Sequence, residues 1–458
     1  MLNGGNKIHF TSLGCARNLV DTEVMLGIVL KAGYEIAQQL SDADYLVVNT
    51  CGFLEKSRQE ARDTIKELLG AKKGDAKLIV TGCMVQKKAQ EIRTEFPEVH
   101  YLLGSGDTEK ILEAIQSEEK GQSVTTARSY LEWGEVPRQI STPKHYAYLK
   151  IAEGCAKRCS FCIIPSIKGP LKSKSVEQVL KEFQALLKQG VFEIILIAQD
   201  LGDYGKERKE KKGFETLVSE LLKVDQKFWL RFLYLYPDEI SDELIDLMAQ
   251  DKRICPYLDM PLQHINDQIL KAMRRKTSRD DIIKTVTQLR AKIPNIVIRT
   301  SLMVGFPGET DEQFEELLQF INDYPIDNIG VFKFSAEKEA HASTLPNQVS
   351  EEVKEERYNR LMQAQMKVAQ RLNRKYIGQK LQVMIEGYHP DSTFLMRGRF
   401  YGQCPEIDGQ VIINDFACVS DFGQLYEVEI TDVADYDLIG GAIKKVKSNK
   451  NSLSLVHA

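Results

Sequence analysis

Three cysteines stand within eight residues of one another, at Cys155, Cys159 and Cys162, in a C-x3-C-x2-C spacing. Three thiolates from so short a stretch of backbone can bind one metal centre. A structural zinc site takes four ligands, but no nearby His completes a set here and the next cysteine is Cys255. Thiolates also bind 4Fe–4S clusters, and three of them leave one iron free for another ligand. The spacing therefore favours an iron–sulfur cluster with an open iron over zinc, and over a loop of buried structural thiols.

Three further cysteines, Cys15, Cys51 and Cys83, each follow a short apolar run. We predict strands at residues 7–13, 45–49, 77–81 and 101–104, and helices at residues 19–31, 56–69 and 87–95. Alternation of strands and helices at this spacing favours a parallel sheet. Since the carboxyl ends of parallel strands meet at the edge where open α/β sheets bind ligands, we expect these thiols to converge. The alternative is three unrelated small core residues.

A longer strand–helix unit repeats from residue 146 onward. Helices are expected between the strands, for example at residues 176–188 and 311–322, and a charged helix at residues 351–375 closes the repeat. Six such units predict a partial (β/α)6 barrel with its site at the carboxyl ends of the strands. Cys155 follows the first strand, as such a site requires. The predicted strands lie at residues 146–151, 192–198, 229–234, 257–259, 296–301 and 328–333.

Four polar residues, Gln199, Asp200, Gln263 and Arg299, are expected at the carboxyl ends of these strands. They are candidate contacts for a cofactor or substrate, although each would equally suit a solvated strand end. His264 is expected to be a hydrogen-bonded structural histidine. The segment 305–310 is expected to form a turn beside the cofactor rather than a phosphate loop, because it lacks the Gly-Lys-Ser/Thr ending. The remaining cysteines are expected to be small core residues: Cys255, Cys404 and Cys418.

Length and composition predict an ordinary globular protein of about three domains. Hydrophobic residues make up 43% and charged residues 28% of the 458 residues, and no apolar run approaches the roughly 20 residues that span a bilayer. The start has no apolar core of a signal peptide, and nine cysteines without such a signal argue for reduced thiols and a cytoplasmic location. A net charge of −4 gives no general case for nucleic-acid binding.

The predicted domain boundaries follow these patterns. Residues 1–125 form an α/β domain, residues 126–143 a linker, and residues 144–375 the partial barrel. Residues 376–445 form a small antiparallel β-barrel, and residues 446–458 a polar tail. The small barrel is expected from strands at residues 378–387, 393–398, 409–413 and 426–433, where apolar and polar residues alternate between Gly, Asp and Pro.

The cysteine loop, with aromatic Phe161 just before its last cysteine, resembles the signature of radical S-adenosylmethionine (SAM) enzymes. The whole chain resembles the radical SAM methylthiotransferases, which join a methylthiotransferase domain, a radical SAM barrel and a TRAM domain. It is most similar to the RimO branch, whose members methylthiolate the β-carbon of one aspartate in the twelfth small-subunit ribosomal protein. The matching stretches are residues 12–21, 49–53, 153–170, 198–200 with 204–205, 259–264 and 304–310.

Two stretches depart from the family pattern. The family usually has Pro-Lys after the first cysteine, where this chain has Ala16 and Arg17. The loop 334–342 lacks a Gly-Thr pair that is common after the sixth barrel strand. Neither departure changes a cysteine, so the expected cluster ligands are unaffected.

The resemblance implies two 4Fe–4S clusters and SAM as cofactors. One cluster would be held by Cys155, Cys159 and Cys162 and would bind SAM through its free iron. A second would be held by Cys15, Cys51 and Cys83 and would bind the sulfur to be delivered. An electron donor and a sulfur source would come from outside, and no membrane is involved. The expected SAM contacts are Phe161, Gln199, Asp200, Gln263 and Arg299.

Two other functions remain open at this stage. A tRNA methylthiotransferase would share the three domains, but residues 376–443 carry three Lys or Arg against eleven Asp or Glu, a net charge of −8. Because an RNA-binding barrel needs a basic face, we expect no direct nucleic-acid binding, and an acidic barrel suits a basic ribosomal protein. An iron–sulfur electron carrier is the alternative from another class, but it would not need a full barrel around a free iron.

Overall fold

The structure is a computed structural model that describes residues 6–125, 129–132, 134 and 136–446. The expected polar tail from residue 447 and parts of the expected linker, at residues 126–128, 133 and 135, lie outside the described residues. No helix in the described part of the chain is long and apolar enough to cross a membrane.

The first part of the chain folds into a six-stranded parallel sheet, which confirms the predicted α/β class. The strands lie in the order β2-β1-β3-β4-β5-β6. The two outermost strands, β2 and β6, were not predicted, because runs of two and three residues show no period. The elements are β1 (Lys7–Ser12), α1 (Ala16–Lys31), β2 (Glu35–Ile36), β3 (Tyr45–Thr50), α2 (Glu55–Ala71), β4 (Lys77–Gly82), α3 (Cys83–Glu95), β5 (Tyr101–Gly104), α4 (Ile111–Gln116) and β6 (Gly121–Ser123).

The second part is an open parallel sheet wrapped by helices, and it confirms the predicted partial (β/α)6 barrel. Its strand order is β14-β13-β12-β11-β10-β7, with β7 and β14 as the two edges. The elements are β7 (Tyr146–Lys150), β8 (Ala152–Glu153), α5 (Ile164–Lys168), β9 (Lys172–Ser173), α6 (Val176–Lys188), β10 (Glu193–Ile197), α7 (Gly213–Leu222), β11 (Trp229–Phe232), α8 (Asp242–Gln250), β12 (Ile254–Asp259), α9 (Asp267–Ala272), α10 (Arg279–Lys292), β13 (Val297–Val304), α11 (Asp311–Asp323), β14 (Asn328–Lys333) and α12 (Glu351–Asn373).

Side-chain caps set the starts of several barrel helices. The Ser175 hydroxyl accepts a hydrogen bond from the backbone of Gln178, whose side chain accepts one from the backbone of Ser175. Thr310 and Gln313 form the same reciprocal pair at the start of α11. Such a capping box satisfies two of the four backbone N–H groups that a helix start leaves unpaired. The starts of α6 and α11 are accordingly where their sequence patterns predict them.

The last part is a closed five-stranded barrel with the order β15-β16-β17-β19-β18. Its strands are antiparallel except for β17 and β19, which run parallel. The structure therefore confirms the expected small barrel, although one of its strand pairs is parallel rather than antiparallel. The strand β19 was missed because Gly440 and Gly441 weaken its pattern. The elements are β15 (Lys380–His389), β16 (Ser392–Arg399), β17 (Val411–Asp415), β18 (Gln424–Ala434) and β19 (Asp437–Lys445).

This small barrel docks against the amino ends of the large barrel's strands. Glu193, the first residue of β10, accepts hydrogen bonds from Arg231 at 2.6 Å and from Arg399 at 2.9 Å. Tyr257 donates to Asp408 at 2.7 Å, and the core of the small barrel is continuous with the interior of the large one. The C-terminal barrel therefore closes the end of the large barrel opposite to its cysteine loop.

The Glu193 carboxylate makes this docking pH-dependent. Burial raises its pKa, but Arg231 and Arg399 outweigh burial and lower the pKa to about 2. Because the ordinary pKa of glutamate is about 4.3, the ionised carboxylate stabilises the fold fully above that pH. The contribution is then lost as the pH falls towards 2.

We predict that Arg399→Met lowers the free energy of unfolding by about 3–5 kcal/mol, because it leaves part of a buried charge network unpaired. Arg397→Met is the matched control, since Arg397 lies on the same strand and is exposed. Chemical denaturation followed by tryptophan fluorescence would measure both, because Trp229 packs in the shared core. Equal stability of the two variants would contradict this account of the docking.

Candidate active site

Three cysteines of the N-terminal sheet lie at the carboxyl ends of neighbouring strands. Cys15 follows β1 and directly precedes α1, Cys51 follows β3, and Cys83 begins α3 directly after β4. Since β1, β3 and β4 are adjacent in the sheet, the structure brings the three side chains to one edge. We call Cys15, Cys51 and Cys83 the sheet triad.

Glycines allow the loops of the sheet triad to approach closely. A Cβ atom on Gly14, whose φ is +89°, would lie 2.8 Å from the Cβ atom of Cys51. A Cβ atom on Gly52 would lie 2.7 Å from the backbone of Cys83. Each glycine therefore stands where any side chain would force two cysteine-bearing loops apart.

The second set, Cys155, Cys159 and Cys162, lies in the loop between β8 and α5, and we call it the barrel triad. Gly154, with a φ of +78°, starts this loop, and a Cβ atom there would lie 2.1 Å from the carbonyl oxygen of Pro170. The backbone N–H of Ile164 lies 3.4 Å from the Cys162 sulfur.

Each triad offers three sulfur ligands and is not arranged as a tight single-ion site. Two thiolates bound to one zinc ion at about 2.3 Å lie roughly 4 Å apart. Within the described residues, neither triad brings all three sulfur atoms within 4.8 Å of one another. Burial raises the pKa of Cys83 and of Cys155 to about 12, so metal binding at these thiols would release protons. Ligand sets made only of cysteine thiolates hold 4Fe–4S clusters.

A cluster of acidic side chains beside the barrel triad binds the side chain of Lys157. The oxygens of Asp200, Asp203 and Glu239 lie within 4.8 Å of one another. The Lys157 ammonium lies 3.3 Å from Asp200 and 3.4 Å from Asp203, and it also bonds Glu239. Burial raises the pKa of Asp200 to about 7, although Lys157 opposes this. Because Lys157 lies between Cys155 and Cys159, this contact anchors the cysteine loop to the barrel.

The two triads face each other across the contact between the sheet and the large barrel. Cys83 packs against Ile163 and Ile167, which follow the barrel triad. Arg17, two residues after Cys15, donates a hydrogen bond to the carbonyl oxygen of Ala198 at 2.7 Å. The positive charge of Arg17 also lowers the pKa of Cys162, although burial raises that pKa overall to about 11. Arg17 is therefore within electrostatic range of both triads.

Three family profiles match successive parts of the chain. They are the uncharacterized protein family UPF0004 at residues 7–104, the radical SAM superfamily at residues 149–321 and the TRAM domain at residues 377–443. A ribosomal protein uS12 methylthiotransferase RimO from Protochlamydia amoebophila is 65% identical, over 96% of this chain and 93% of that protein. The protein of that name from Syntrophotalea carbinolica is 44% identical, over 95% of this chain and 96% of that protein.

This chain belongs to the RimO family. It is a radical SAM methylthiotransferase, and the radical SAM family implies a 4Fe–4S cluster and SAM. Among solved structures, the radical SAM methyltransferase TsrM from Kitasatospora setae is similar in fold, with a TM-score of 0.53 and 16% identity. The match covers 72% of this chain and 75% of TsrM.

A buried network of four charges joins the sheet to the barrel in this RimO-family chain. The Lys150 ammonium donates to Asp21 and lies 3.3 Å from Glu153. The Lys168 ammonium lies 3.2 Å from Asp21 and 2.7 Å from Glu153. Asp21 lies in α1, while the other three belong to the barrel strands and to α5. Two carboxylates and two ammonium groups thus alternate at the contact that holds the triads opposite each other.

The structure places the residues that were expected to contact SAM in different surroundings. Gln199 follows β10, and both polar atoms of its amide are buried without a protein partner. Gln263 follows β12 with a φ of +74° and pairs by its backbone with β13. Phe161 packs against an apolar cluster that includes Phe306 and Phe334. Asp200 is engaged by Lys157, as described above. A role of any of them in SAM binding stays a prediction.

The position expected for Arg299 was wrong. It is the third residue of β13, and its guanidinium lies 2.8 Å from Asp259 and 3.4 Å from Asp408. It therefore lies inside the barrel rather than at the carboxyl end of its strand. The error arose because β13 extends to Val304, beyond the expected end at residue 301.

Other sequence expectations can be compared directly with the structure. His264 is buried, and its Nδ1 accepts a hydrogen bond from the backbone of Asn266 at 3.0 Å, which confirms a structural histidine. The expected turn at residues 305–310 is present, with Glu309 accepting hydrogen bonds from the backbone N–H groups of Gly305 and Phe306. Cys418 is exposed, so its assignment to the core was wrong, whereas the other two cysteines expected there, Cys255 and Cys404, are buried.

Sequence reasoning missed the charged residues that hold the site together. Asp21 ends one of the matching stretches, and Glu153 and Lys168 lie within another, but no role was predicted for these side chains. The position of Lys157 between two cysteines was the one indication in the sequence that it could belong to the site. Its acidic partners come from two loops, at Asp200 and Asp203 and at Asp238 and Glu239, that only the fold brings together.

We predict that Asp21→Asn lowers the free energy of unfolding by about 3–5 kcal/mol, because it leaves two buried ammonium groups with one carboxylate. The control is Asp42→Asn at an exposed position, for which a change within about 0.5 kcal/mol is expected. Denaturant titration of both variants would measure the difference. A loss no larger than that of the control would show that the buried network does not stabilise this contact.

Proposed function

We propose that this chain adds a methylthio group to the β-carbon of an aspartate in ribosomal protein uS12. Relatives that align over almost the whole chain carry the name of that activity. The observation that carries the proposal is the position of two all-cysteine triads facing each other across one contact. A single triad would suffice for SAM cleavage, so a second one calls for a second task, and sulfur delivery is the task that the name supplies.

In this proposal the barrel triad holds the cluster that binds SAM, and the sheet triad holds a second 4Fe–4S cluster. When bound, these groups would supply a 5′-deoxyadenosyl radical and the sulfur that is inserted. The protein holds the cysteine loops and excludes water. Lys157 and its acidic partners hold the barrel triad, while Ile163, Ile167 and Ala340 cover Cys83 with apolar surface. A water-poor pocket protects a reactive radical from side reactions.

We further propose that Gln199 and Gln263 contact SAM or the substrate, and that Phe161 shapes the SAM pocket. The buried amide of Gln199 has no partner in the protein, which supports a contact with SAM or the substrate, because leaving a buried polar group unpaired costs free energy. Asp200 and Arg299 already bind charged groups of the protein. For these two we propose that they hold the loops around SAM rather than SAM itself.

The C-terminal barrel is the proposed docking surface for the basic substrate. Some of its acidic residues face inward, because Glu386 pairs with Arg399 and Asp408 with Tyr257. An acidic surface nevertheless remains, with exposed side chains at Asp391, Asp415, Asp421, Glu429, Asp432 and Asp435. Acidic residues on one partner and basic residues on the other raise the association rate. We expect no direct nucleic-acid binding, and we expect that the electrons and sulfur come from outside partners.

The proposed activity is tested by intact-mass analysis of purified uS12 incubated with the reconstituted enzyme, SAM, a reductant and a sulfur source. One methylthio addition that maps to an aspartate is the expected result. Replacing Cys15, Cys51 and Cys83 together by Ala should abolish this addition while reductive SAM cleavage continues. Methylthiolated uS12 from the triple variant would contradict the proposed role of the sheet triad. Modification of tRNA but not uS12 would favour the RNA alternative.

The two-cluster assignment predicts the iron content of the protein. Replacing Cys155, Cys159 and Cys162 together by Ala should leave about half of the iron, because each triad binds one cluster, and it should abolish SAM cleavage. Replacing Cys255, Cys404 and Cys418 gives a matched control with all iron retained. Iron and sulfide analysis after anaerobic reconstitution measures this. Retention of all iron by the first variant would overturn the assignment.

A further inference from the structure

Arg17 is a half-buried arginine without a carboxylate partner. Several enclosed arginines bind carboxylates, for example Arg138 with Glu23 at 2.6 Å and Arg357 with Glu309 at 2.9 Å, whereas Arg275 binds the Cys159 sulfur and the Pro261 carbonyl oxygen. In the described part of the chain, no Asp or Glu oxygen lies within 4.0 Å of the Arg17 guanidinium, which bonds the Ala198 carbonyl instead. The guanidinium also lies beside the Cys15 thiol. Because arginine carries five N–H donors, those not used by Ala198 and Cys15 can bind an anion that is not part of this chain.

The surroundings of Arg17 hold its guanidinium in place. The ring of Tyr234 lies beneath it, 5.0 Å from the centre of the guanidinium. Tyr234 itself has a φ of +63°, a left-handed conformation that is costly for a bulky residue. Its backbone N–H donates to Asp259 at 3.1 Å, and its carbonyl oxygen accepts from Leu201 at 2.9 Å. Strain held by surrounding contacts is a feature of functional sites, and here it places a support for Arg17.

The side-chain amide of Gln199 is a second polar group without a partner, and it follows the residue whose carbonyl oxygen Arg17 binds. Gln199 directly follows Ala198, whose carbonyl oxygen Arg17 binds, and both polar atoms of the Gln199 amide are buried and unpaired. An arginine with free donors and an amide with a free N–H thus stand at neighbouring positions. Guanidinium and amide donors together fit a carboxylate, which arginine binds in a two-bond geometry.

The reaction requires a carboxylate at this place. In an aspartate side chain, the carboxylate carbon is bonded to the β-carbon, so the group that holds the carboxylate must lie within a few ångströms of the reacting atom. The reacting atom must lie where SAM chemistry at the barrel triad and sulfur at the sheet triad can both reach it. Arg17 is two residues from Cys15 of the sheet triad and binds the carbonyl oxygen of Ala198, which directly follows β10 of the large barrel.

We propose that Arg17, assisted by Gln199, binds the side-chain carboxylate of the target aspartate and holds its β-carbon between the two triads. This inference rests on the proposed function. It makes Arg17 a substrate-binding residue that selects aspartate over asparagine, in addition to its contact between the sheet and the barrel. The carboxylate of SAM has the same chemistry, so the test must separate the two sources.

The test compares uS12 with a uS12 variant in which the target aspartate is replaced by asparagine. Reconstituted wild-type enzyme with SAM, before any electron is added, should bind normal uS12 at least about tenfold more tightly, because charged hydrogen bonds are strong. Arg17→Met should bring the ratio of the two affinities close to one. Arg17→Lys should keep an intermediate ratio, since it retains the charge but not the two-bond geometry. Gln199→Leu should lower the ratio without removing it.

The controls separate this role from a structural one. Arg253→Met is the control, because Arg253 binds backbone carbonyl oxygens, those of Leu222 and Val224, at the opposite end of the strands, in addition to Asp251 at 2.7 Å. Arg253→Met should leave the affinity ratio, the iron content and substrate-independent SAM cleavage unchanged. An unchanged affinity ratio in the Arg17 variants overturns the inference, and so does loss of SAM binding, which would assign the carboxylate to SAM. If wild-type enzyme neither binds nor modifies uS12, the proposed function itself fails, and the inference fails with it.

Discussion

The buried network of Asp21, Lys150, Glu153 and Lys168 is the interaction on which the arrangement of this molecule depends. Taking a single charge out of water costs several kcal/mol, and here four charges are almost completely enclosed. They are tolerated because each ammonium meets both carboxylates. Such a network is satisfied in only one relative position of sheet and barrel, whereas apolar packing tolerates sliding. The distance between the two cysteine triads follows from that position.

The large barrel is held at both ends in a similar way. At the amino ends of its strands, Glu193 is shared by Arg231 and Arg399, and the C-terminal barrel is thereby fixed. At the carboxyl ends, Lys157 meets four acidic groups and fixes the cysteine loop. The apolar interior lies between these two layers of charge. Sheet, barrel and small barrel therefore form one connected structure in which the site is held by paired charges and the folding energy comes from apolar burial.

The thiols themselves are poised for metal binding. Burial raises the pKa of most of them, so they are neutral at physiological pH until a metal ion replaces their protons. Cys15 differs, because Arg17 and the backbone N–H groups at the start of α1 outweigh burial and lower its pKa. The positive charge of Arg17 has two roles at this point. It stabilises a thiolate in the free protein, and its remaining hydrogen-bond donors fit an anionic substrate.

The sequence by itself determined the local features of this protein. Cys155, Cys159 and Cys162 lie within one loop, so their spacing is visible in the sequence. Each cysteine of the sheet triad follows an apolar run, which predicts its position at the carboxyl end of a parallel strand. The starts of α6 and α11 are set by capping residues, so short-range patterns located them. Strands of two or three residues and the glycine-containing β19 were missed, because too few side chains alternate there to give a period.

Only the tertiary structure decided which charged residues pair. Asp21 and Lys150 are 129 residues apart, and Lys157 and Glu239 are 82 apart. A single sequence does not show which charged residues pair over such separations. A charged residue looks the same in the sequence whether its side chain is solvated or buried with a partner. Arg299 was expected at a strand end and lies inside the barrel, and Arg17, noted only as a departure from the family pattern, binds the carbonyl oxygen of Ala198 in the barrel. The physical reason is that ion pairing depends on position in space, while cysteine spacing and helix caps depend on neighbours in the chain.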